Sequence, residues 1–338
     1  MRAVPLLIAA ALLVQARPGP ALPAERWDGT LVERAQCPAY VAPSYDDYAA
    51  TAKKFYEGEL SAASAEGIAM RTPLALATRE EFARNVEASR RVQCTRLVYM
   101  SDGLKVAGLM WQPSDRGTAA LPLIIFNRGG NRDFSQVPPW HAFHRFAAEG
   151  FVVLASQYRG VDGGEGIEEF GGADVHDITN LVPLARGLGG IDLDNIFVLG
   201  WSRGAMSTFL ALKQGMKVNA VAVGGGLLDL LAEAKRRPAV AARVWSELMP
   251  GYASRRDEVL RERSVMYWPE QITAPVLILH GGGDWRASPA EALTLAQKLQ
   301  AAGRSYELII YANDDHAVSG NAVDRNRRIV EWFRGHMR

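Results

Sequence analysis

The sequence has almost no excess of either charge and very little cysteine, and both shortages exclude classes of function. Its 38 lysine and arginine residues nearly balance 37 aspartate and glutamate residues, which leaves a formal net charge of +1. Nucleic-acid-binding surfaces normally need a basic excess, so we expect no DNA or RNA partner. The two cysteines and six histidines form no Cys-x-x-Cys pair or histidine cluster with metal-ligand spacing. We therefore expect no metal site and no cofactor.

Residues 1–16 predict a cleaved secretory signal. Met1 and Arg2 give a short positive start, and an apolar stretch follows that ends in small residues. A permanent membrane span needs about 20 apolar residues, so no stable span is expected, although an uncleaved anchor or a buried helix remains an alternative. Export to the periplasm or beyond is the prediction. In an oxidising compartment Cys37 and Cys94 can form a disulfide, with two separate buried thiols as the alternative.

The chain divides into a polar N-terminal part and an α/β domain. Residues 24–94 are helix-prone and predict a helical N-terminal extension, whereas residues 95–338 open with a hairpin and continue with strand-like runs separated by helix-length segments. Several runs are fully apolar, as buried parallel strands require. The expected architecture is a doubly wound, mostly parallel sheet with helices on both faces. The runs are residues 121–126, 151–155, 196–199, 220–223, 276–279 and 306–311.

Residues 227–269 interrupt this alternation with a series of short amphipathic helical patterns and no strand texture. The interruption falls where such sheets accept insertions above the carboxyl ends of the strands. It is interpreted as a lid-like insertion, and extra helices without a gating role are the alternative. The sequence does not indicate the oligomeric state.

The strongest chemical signal is the segment Gly200-Trp201-Ser202-Arg203-Gly204, which lies between an apolar strand and a helical pattern. Glycines on both sides of a serine allow a turn sharp enough to hold the hydroxyl clear of the sheet. Ser202 is therefore the candidate nucleophile. The alternative is a glycine-rich turn with a helix-capping serine.

A serine nucleophile needs a base, and the base needs a carboxylate that fixes its tautomer. Asp284 follows the strand-like run 276–279, and His316 follows the run 306–311. Because each of the three residues follows an apolar strand, we expect all three side chains at the carboxyl edge of one parallel sheet, in the chain order serine, acid, histidine. Asp284 and His316 are therefore the candidate acid and base, while a turn aspartate and a surface histidine are the alternatives.

Acyl transfer also needs hydrogen-bond donors for the oxyanion of the tetrahedral intermediate. The backbone N–H of Arg203, directly after the nucleophile, is one candidate. The loop after residues 121–126 offers a second through Gly129 or Gly130, where the missing Cβ atoms let the backbone approach a substrate. A simple Gly-Gly turn is the alternative for that loop.

Together these residues resemble the α/β-hydrolase fold and, within it, the catalytic domain of the prolyl oligopeptidase family of serine peptidases. The resemblance runs from about Thr95 to Met337 and implies a serine hydrolase with Ser202 as nucleophile, Asp284 as acid and His316 as base. The segments that carry it are Gln157-Tyr158-Arg159-Gly160, Asp174, Asp177, Ile191-Asp192, the turn at Ser202, residues 274–281, residues 284–289, Asp315-His316 and Trp332-Phe333.

Two departures from the family affect the expected specificity. The family often has tyrosine or histidine before the Gly-Gly of the oxyanion loop, and this chain has Arg128, whose guanidinium is a candidate oxyanion donor or substrate contact. The residues before Thr95 show no blade repeats and are too few for the β-propeller that filters peptides in full-length members. A short peptide is therefore the expected substrate, a carboxylic ester is the alternative, and a non-catalytic binding protein is a second alternative.

Overall fold

The computed structural model describes residues 28–38, 44–62, 76, 78–137 and 144–338. The predicted signal, residues 1–16, lies outside the described residues. Across the described part of the chain, no helix combines the length and the apolar character that crossing a membrane would require.

A sheet of nine strands runs through the described residues in the order β1-β2-β3-β5-β4-β6-β7-β8-β9. The first three pairings in this order are antiparallel, and every pairing from β5 onwards is parallel. The doubly wound, mostly parallel sheet expected from the sequence is confirmed. In chain order the strands β1 to β9 are Leu31–Gln36, Val92–Ser101, Leu104–Pro113, Leu121–Asn127, Val152–Ser156, Ile191–Trp201, Ala220–Gly224, Val276–Gly281 and Tyr306–Tyr311.

Helices connect the parallel strands and cover the sheet. Short 3-10 turns at Ala173–Val175, Val265–Tyr267 and Pro269–Gln271 and a π-helical turn at Ala241–Trp245 complete the connections. The helices α1 to α12 are Tyr45–Ala62, Arg79–Arg90, His144–Ala148, His176–Thr179, Leu181–Leu188, Arg203–Lys213, Leu230–Arg236, Pro238–Val240, Ser246–Leu248, Tyr252–Glu262, Pro289–Ala301 and Ala322–Arg334.

The central strands are apolar throughout because both of their faces are buried. Successive side chains of a strand point to opposite faces. In β4, Leu123 and Ile125 join one hydrophobic cluster, whereas Ile124 and Phe126 join the other. Since β4, β6, β7, β8 and β9 pair in parallel, the carboxyl ends of β4, β6, β8 and β9 lie along one edge.

The N-terminal extension is not purely helical, which corrects the prediction for residues 24–94. Leu31–Gln36 forms the edge strand β1, antiparallel to β2, and β2 itself begins at Val92. All six side chains of β1 are exposed, so the strand carries no apolar alternation for a sequence pattern to reveal. Cys37, directly after β1, forms a disulfide with Cys94 in β2. The bond ties the extension to the edge of the sheet.

The insertion between β7 and β8 contains short helices, as its sequence pattern indicates. Its apolar side chains Trp245, Leu248 and Leu260 are buried in the larger of the two hydrophobic clusters. The insertion therefore shares the core of the domain.

Candidate active site

Ser202 lies at the bend between β6 and α6, in a backbone conformation that residues other than glycine seldom adopt. Its φ is 57° and its ψ is −122°. The flanking glycines make the bend possible, because a Cβ on Gly200 would lie 2.4 Å from Thr208 Oγ1 and one on Gly204 would lie 1.8 Å from the carbonyl oxygen of Asn127. The turn predicted from the Gly-x-Ser-x-Gly segment thus has the geometry of a nucleophile elbow.

Asp284 and His316 meet at the same edge of the sheet. His316 Nδ1 lies 2.7 Å from Asp284 Oδ2, and the carboxylate is buried. Ser202 and His316 line one cavity of about 620 Å³. Among the described residues no hydrogen bond joins the Ser202 hydroxyl to His316, and contacts of this kind often tighten only when substrate binds. Ser202 and His316 therefore share one cavity, and the buried Asp284 is paired with the base.

Asp284 is held by four donors. Its Oδ1 accepts hydrogen bonds from the backbone N–H groups of Arg286 and Ala287, at 2.8 and 3.1 Å. Its Oδ2 faces His316 and, 3.1 Å away, Nε2 of His280. Burial alone would raise the pKa of Asp284, but the charge of His316 and the hydrogen bonds from both histidines hold that pKa well below its ordinary value. The acid therefore stays ionised, as an orienting carboxylate must.

His280 is a neighbour of the acid that the sequence analysis did not single out. The residue is fully buried, and its Nε2 lies 3.1 Å from the carbonyl oxygen of Ala287 as well as 3.1 Å from Asp284. Both neighbours only accept hydrogen bonds, so Nε2 carries the proton. The available signal was its spacing of four residues from Asp284 at the end of an apolar strand.

Glycines at the end of β7 and directly after it make room for the base. A Cβ on Gly225 would lie 2.7 Å from the carbonyl oxygen of His316 and 3.0 Å from its Nδ1, and a Cβ on Gly224 would lie 2.1 Å from the ring of Trp201. Trp201 Nε1 in turn donates a hydrogen bond of 2.9 Å to the carbonyl of His316. The Gly-Gly-Gly run at residues 224–226 was the sequence signal for this close approach, and the sequence analysis did not use it.

The loop that carries His316 is organised by Asp314. This carboxylate is buried and accepts hydrogen bonds from the backbone N–H groups of Asp315, Gly320 and Asn321. The side chain of Asn321 donates a further bond of 2.8 Å. Asp314 thus fixes the path of the loop, while Asp284, distant in sequence, orients the histidine ring.

The candidate oxyanion donors lie beside the nucleophile. Arg203 is the first residue of α6, so no carbonyl of that helix can accept its N–H. Gly129 passes so close that a Cβ there would lie 2.9 Å from Ser202 Cβ. Gly130 has a φ of +67° and is the next residue of this loop. Within the described residues neither glycine donates its N–H to another group. Both amides therefore remain candidates for the second donor.

The structure corrects the role expected for Arg128. Its guanidinium is buried and donates five hydrogen bonds, all to backbone carbonyls: those of Gly129, Arg132, Phe134 and, twice, Gln157. A guanidinium has five N–H donors, so none remains for an oxyanion or a substrate. Arg128 instead holds the backbone of the oxyanion loop in place through its hydrogen bonds to the carbonyls of Gly129, Arg132 and Phe134.

The side chain of Arg203 extends beneath the elbow into a buried charge network. Its guanidinium lies 2.7 Å from Glu168 Oε2 and 2.5 Å from Asp174 Oδ2. Burial would raise the pKa of Asp174, but the charge of Arg203 and the N–H of Gly171 hold it below its ordinary value. Glu168 and Asp174 belong to the connection after β5, which is thereby fastened to the first turn of α6.

This fold and this constellation define a serine hydrolase of the α/β-hydrolase type. The sequence profile of the prolyl oligopeptidase family matches residues 138–338, more than half of the chain. The uncharacterized peptidase YtmA of Bacillus subtilis is 30% identical over 251 residues, which cover 73% of this chain and 95% of that protein. The chain therefore belongs to the prolyl oligopeptidase family of serine peptidases.

Other relatives are longer than this chain. Dipeptidyl-peptidase 5 of Porphyromonas gingivalis is 25% identical over 227 residues, covering 63% of this chain and 33% of that protein. Among solved structures, the acylaminoacyl peptidase of Pyrococcus horikoshii aligns with a TM-score of 0.65 at 18% identity, over 76% of this chain and 44% of its own. At that identity the likeness establishes the fold alone. The chain thus spans nearly all of YtmA but less than half of these two proteins.

Proposed function

We propose that the protein hydrolyses short peptides through an acyl-enzyme on Ser202. The observation that carries the proposal is the 2.7 Å contact between Asp284 Oδ2 and Nδ1 of His316, a histidine that lines the same cavity as the strained Ser202. Family membership and the relatives described as peptidases favour a peptide bond as the scissile bond.

The reaction follows from the positions of these groups. Nε2 of His316 removes the proton from Ser202 as the hydroxyl oxygen attacks the substrate carbonyl, and Asp284 stabilises the imidazolium that forms. The N–H of Arg203, with that of Gly129 or Gly130, donates to the oxyanion, and each such donor lowers the barrier by about 3 to 4 kcal/mol. His316 then protonates the leaving amine, and water activated by the same histidine releases the acyl group.

We further propose that residues 1–16 direct the chain out of the cytoplasm. The Cys37–Cys94 disulfide supports this proposal, because stable disulfides belong to oxidising compartments. Residues 227–269 are proposed to border the substrate entrance, because they follow β7, whose carboxyl end lies next to the elbow strand β6. Cell fractionation of the full-length chain and of a chain lacking residues 1–16 tests the export proposal; equal cytoplasmic retention of both would contradict it.

Labelling by a fluorophosphonate tests the catalytic proposal. The wild-type protein should acquire the label, and Ser202→Ala should not, while the melting temperatures of the two stay close. Matched p-nitroanilides of short peptides and p-nitrophenyl esters then identify the scissile bond. Turnover of esters with no turnover of any peptide would replace the peptidase proposal by an esterase, and absence of labelling in the folded wild-type protein would indicate a binding protein.

A further inference from the structure

The cavity beside Ser202 combines an apolar wall with a few charged side chains, which are Arg128, Arg286, Asp315 and Arg325. Its apolar lining includes Phe126, Leu199 and Ile329, and Arg325 lines it from α12. Arg325 is half-buried and stands nine residues after the base, on a helix that the mechanism does not otherwise use. A small number of charged groups in a mostly apolar pocket selects for the charge of the ligand, and the N–H donors of Arg128 are all taken by backbone carbonyls.

Hydrogen bonds hold the guanidinium of Arg325 in place, but they do not use all of its N–H donors. Nη1 donates to the carbonyl of Ala317, while Nε and Nη2 both donate to Asn326 Oδ1, at 3.0 and 2.9 Å. Its central carbon lies 5.3 Å from the centre of the Trp201 ring. A guanidinium has five N–H donors, so two remain without an acceptor among the described residues. A rigid fork with free donors is the arrangement that binds a carboxylate.

No direct counter-ion accompanies this cation. Within the described residues no carboxylate oxygen lies within 4 Å of the Arg325 guanidinium, whereas Arg159 and Arg203 each have two carboxylate partners. Burial, with a smaller effect of the nearby Arg145, lowers the pKa of Arg325 to about 10, although the more distant charges of Asp315 and Asp314 act in the opposite direction. The side chain stays charged at neutral pH, and a bound anion would relieve the cost of keeping that charge in the cavity wall.

Its position places Arg325 next to both reacting groups. Trp201, whose ring it faces, precedes the nucleophile, and Ala317, whose carbonyl it binds, follows the base. A substrate group held by Arg325 therefore lies in the same cavity as the scissile bond.

We propose that Arg325 is a specificity-determining residue that binds a carboxylate of the substrate. This inference rests on the proposed function of Ser202 and adds the class of substrate. Two sources supply such a group to a peptidase of short peptides: an acidic side chain beside the scissile bond, or the free C-terminal carboxylate of the peptide itself. Both present two oxygen acceptors in one plane, which match the two unused N–H donors.

Paired substrates that differ only in charge test the proposal. One pair carries glutamate or glutamine beside the scissile bond, and the other carries a free or an amidated C-terminus. The ratio of kcat/KM for the charged and the neutral member should exceed about tenfold in at least one pair of the wild-type protein, as loss of a charged hydrogen bond implies. The pair that shows the preference identifies the source of the carboxylate.

Variants on the same helix assign the preference to Arg325. Arg325→Gln should reduce the ratio to about one, and Arg325→Lys should retain part of it because the charge remains. Arg327→Gln is the matched control: Arg327 is exposed, lies two residues along α12 and pairs with Asp324 and Glu331. It removes the same formal charge and should keep the wild-type ratio. Equal ratios in the wild-type protein and Arg325→Gln would overturn the proposal.

Failure of this inference differs visibly from failure of the proposed function. Turnover of the neutral substrates shows that the triad works, so an active protein without a charge preference refutes only the role of Arg325. If no substrate is turned over, binding of the glutamate and glutamine peptides to Ser202→Ala, measured by calorimetry, decides the role of Arg325. Tighter binding of the glutamate peptide that disappears with the additional Arg325→Gln change supports it, and equal binding refutes it.

Discussion

Replacing Asp284 by asparagine is expected to remove most of the turnover, because the surroundings prevent the new side chain from acting as an acceptor for the histidine. Asparagine has one oxygen, and the backbone N–H groups of Arg286 and Ala287, now 2.8 and 3.1 Å from Oδ1, hold an oxygen at that position. The amide nitrogen then faces Nδ1 of His316 in place of Oδ2. Two donors cannot share that contact, so His316 must move its proton to Nε2.

A proton on Nε2 blocks the transfer from Ser202, since the base no longer has a lone pair there. Neutralising the acid of a comparable triad lowers kcat about 10⁴-fold, which corresponds to about 5.5 kcal/mol of barrier. Steady-state turnover of a chromogenic peptide, with Ser202→Ala as the background, measures the loss.

The neighbouring acid provides the control for this experiment. Asp315 precedes His316, but its Oδ1 accepts hydrogen bonds from the N–H groups of Ala317 and Ser319, at 3.0 and 2.9 Å. Asp315→Asn keeps that oxygen and should lower kcat less than about tenfold. A loss below about tenfold in Asp284→Asn, or a larger loss in Asp315→Asn, would show that the acid is assigned wrongly.

Three further outcomes are expected. Gly129→Ala should lower kcat about 10²-fold, because its Cβ would lie 2.9 Å from Ser202 Cβ and push the oxyanion loop away; unchanged kcat would contradict this role. Burial and the charge of Glu233 raise the pKa of Glu291 from its ordinary value to about 8. Because the folded state favours the protonated carboxyl, the free energy of unfolding should fall as the pH rises from about 4.5 to about 8, by at most about 5 kcal/mol. Denaturant unfolding of Glu291→Gln should lack most of that fall, and an unchanged pH dependence would refute the assignment. Loss of the Cys37–Cys94 disulfide, which joins residues 57 positions apart, should lower the free energy of unfolding by up to about 4 kcal/mol. Calorimetry of the reduced protein measures this loss, and an unchanged unfolding temperature would contradict the prediction.

The parts of the candidate site that depend on local sequence pattern and chain order could be predicted from the sequence. Ser202 could be predicted because two glycines, an apolar strand and a helix surround it within a few residues. Asp284 and His316 could be predicted because each follows a strand of a parallel sheet, and parallel strands end at one edge. Local pattern and topology together therefore specify which side chains can meet.

The parts that escaped prediction depend on contacts between distant segments. Strand β1 is exposed on every side chain, so only its pairing with β2 reveals it. The family resemblance suggested Arg128 as a substrate contact, but four carbonyls from separate parts of two loops surround it. Whether an arginine faces a ligand or the backbone is decided by tertiary packing, which periodicity and spacing do not encode.

The buried charges beneath the elbow explain how the fold maintains an unfavourable backbone conformation at Ser202. A positive φ at a residue with a side chain costs about 1 to 3 kcal/mol, and it persists only where the surroundings determine it. The N–H of Ser202 donates to the carbonyl of Gly224 at 2.9 Å, and its own carbonyl accepts from the N–H of Leu227 at 3.2 Å. Below the turn, the guanidinium of Arg203 is fixed by Glu168 and Asp174. Moving the turn toward a relaxed conformation would break these bonds and separate buried charges, which costs more than the strain. The nucleophile is therefore held in place by residues of β7, the insertion and the connection after β5, none of which takes part in the chemistry.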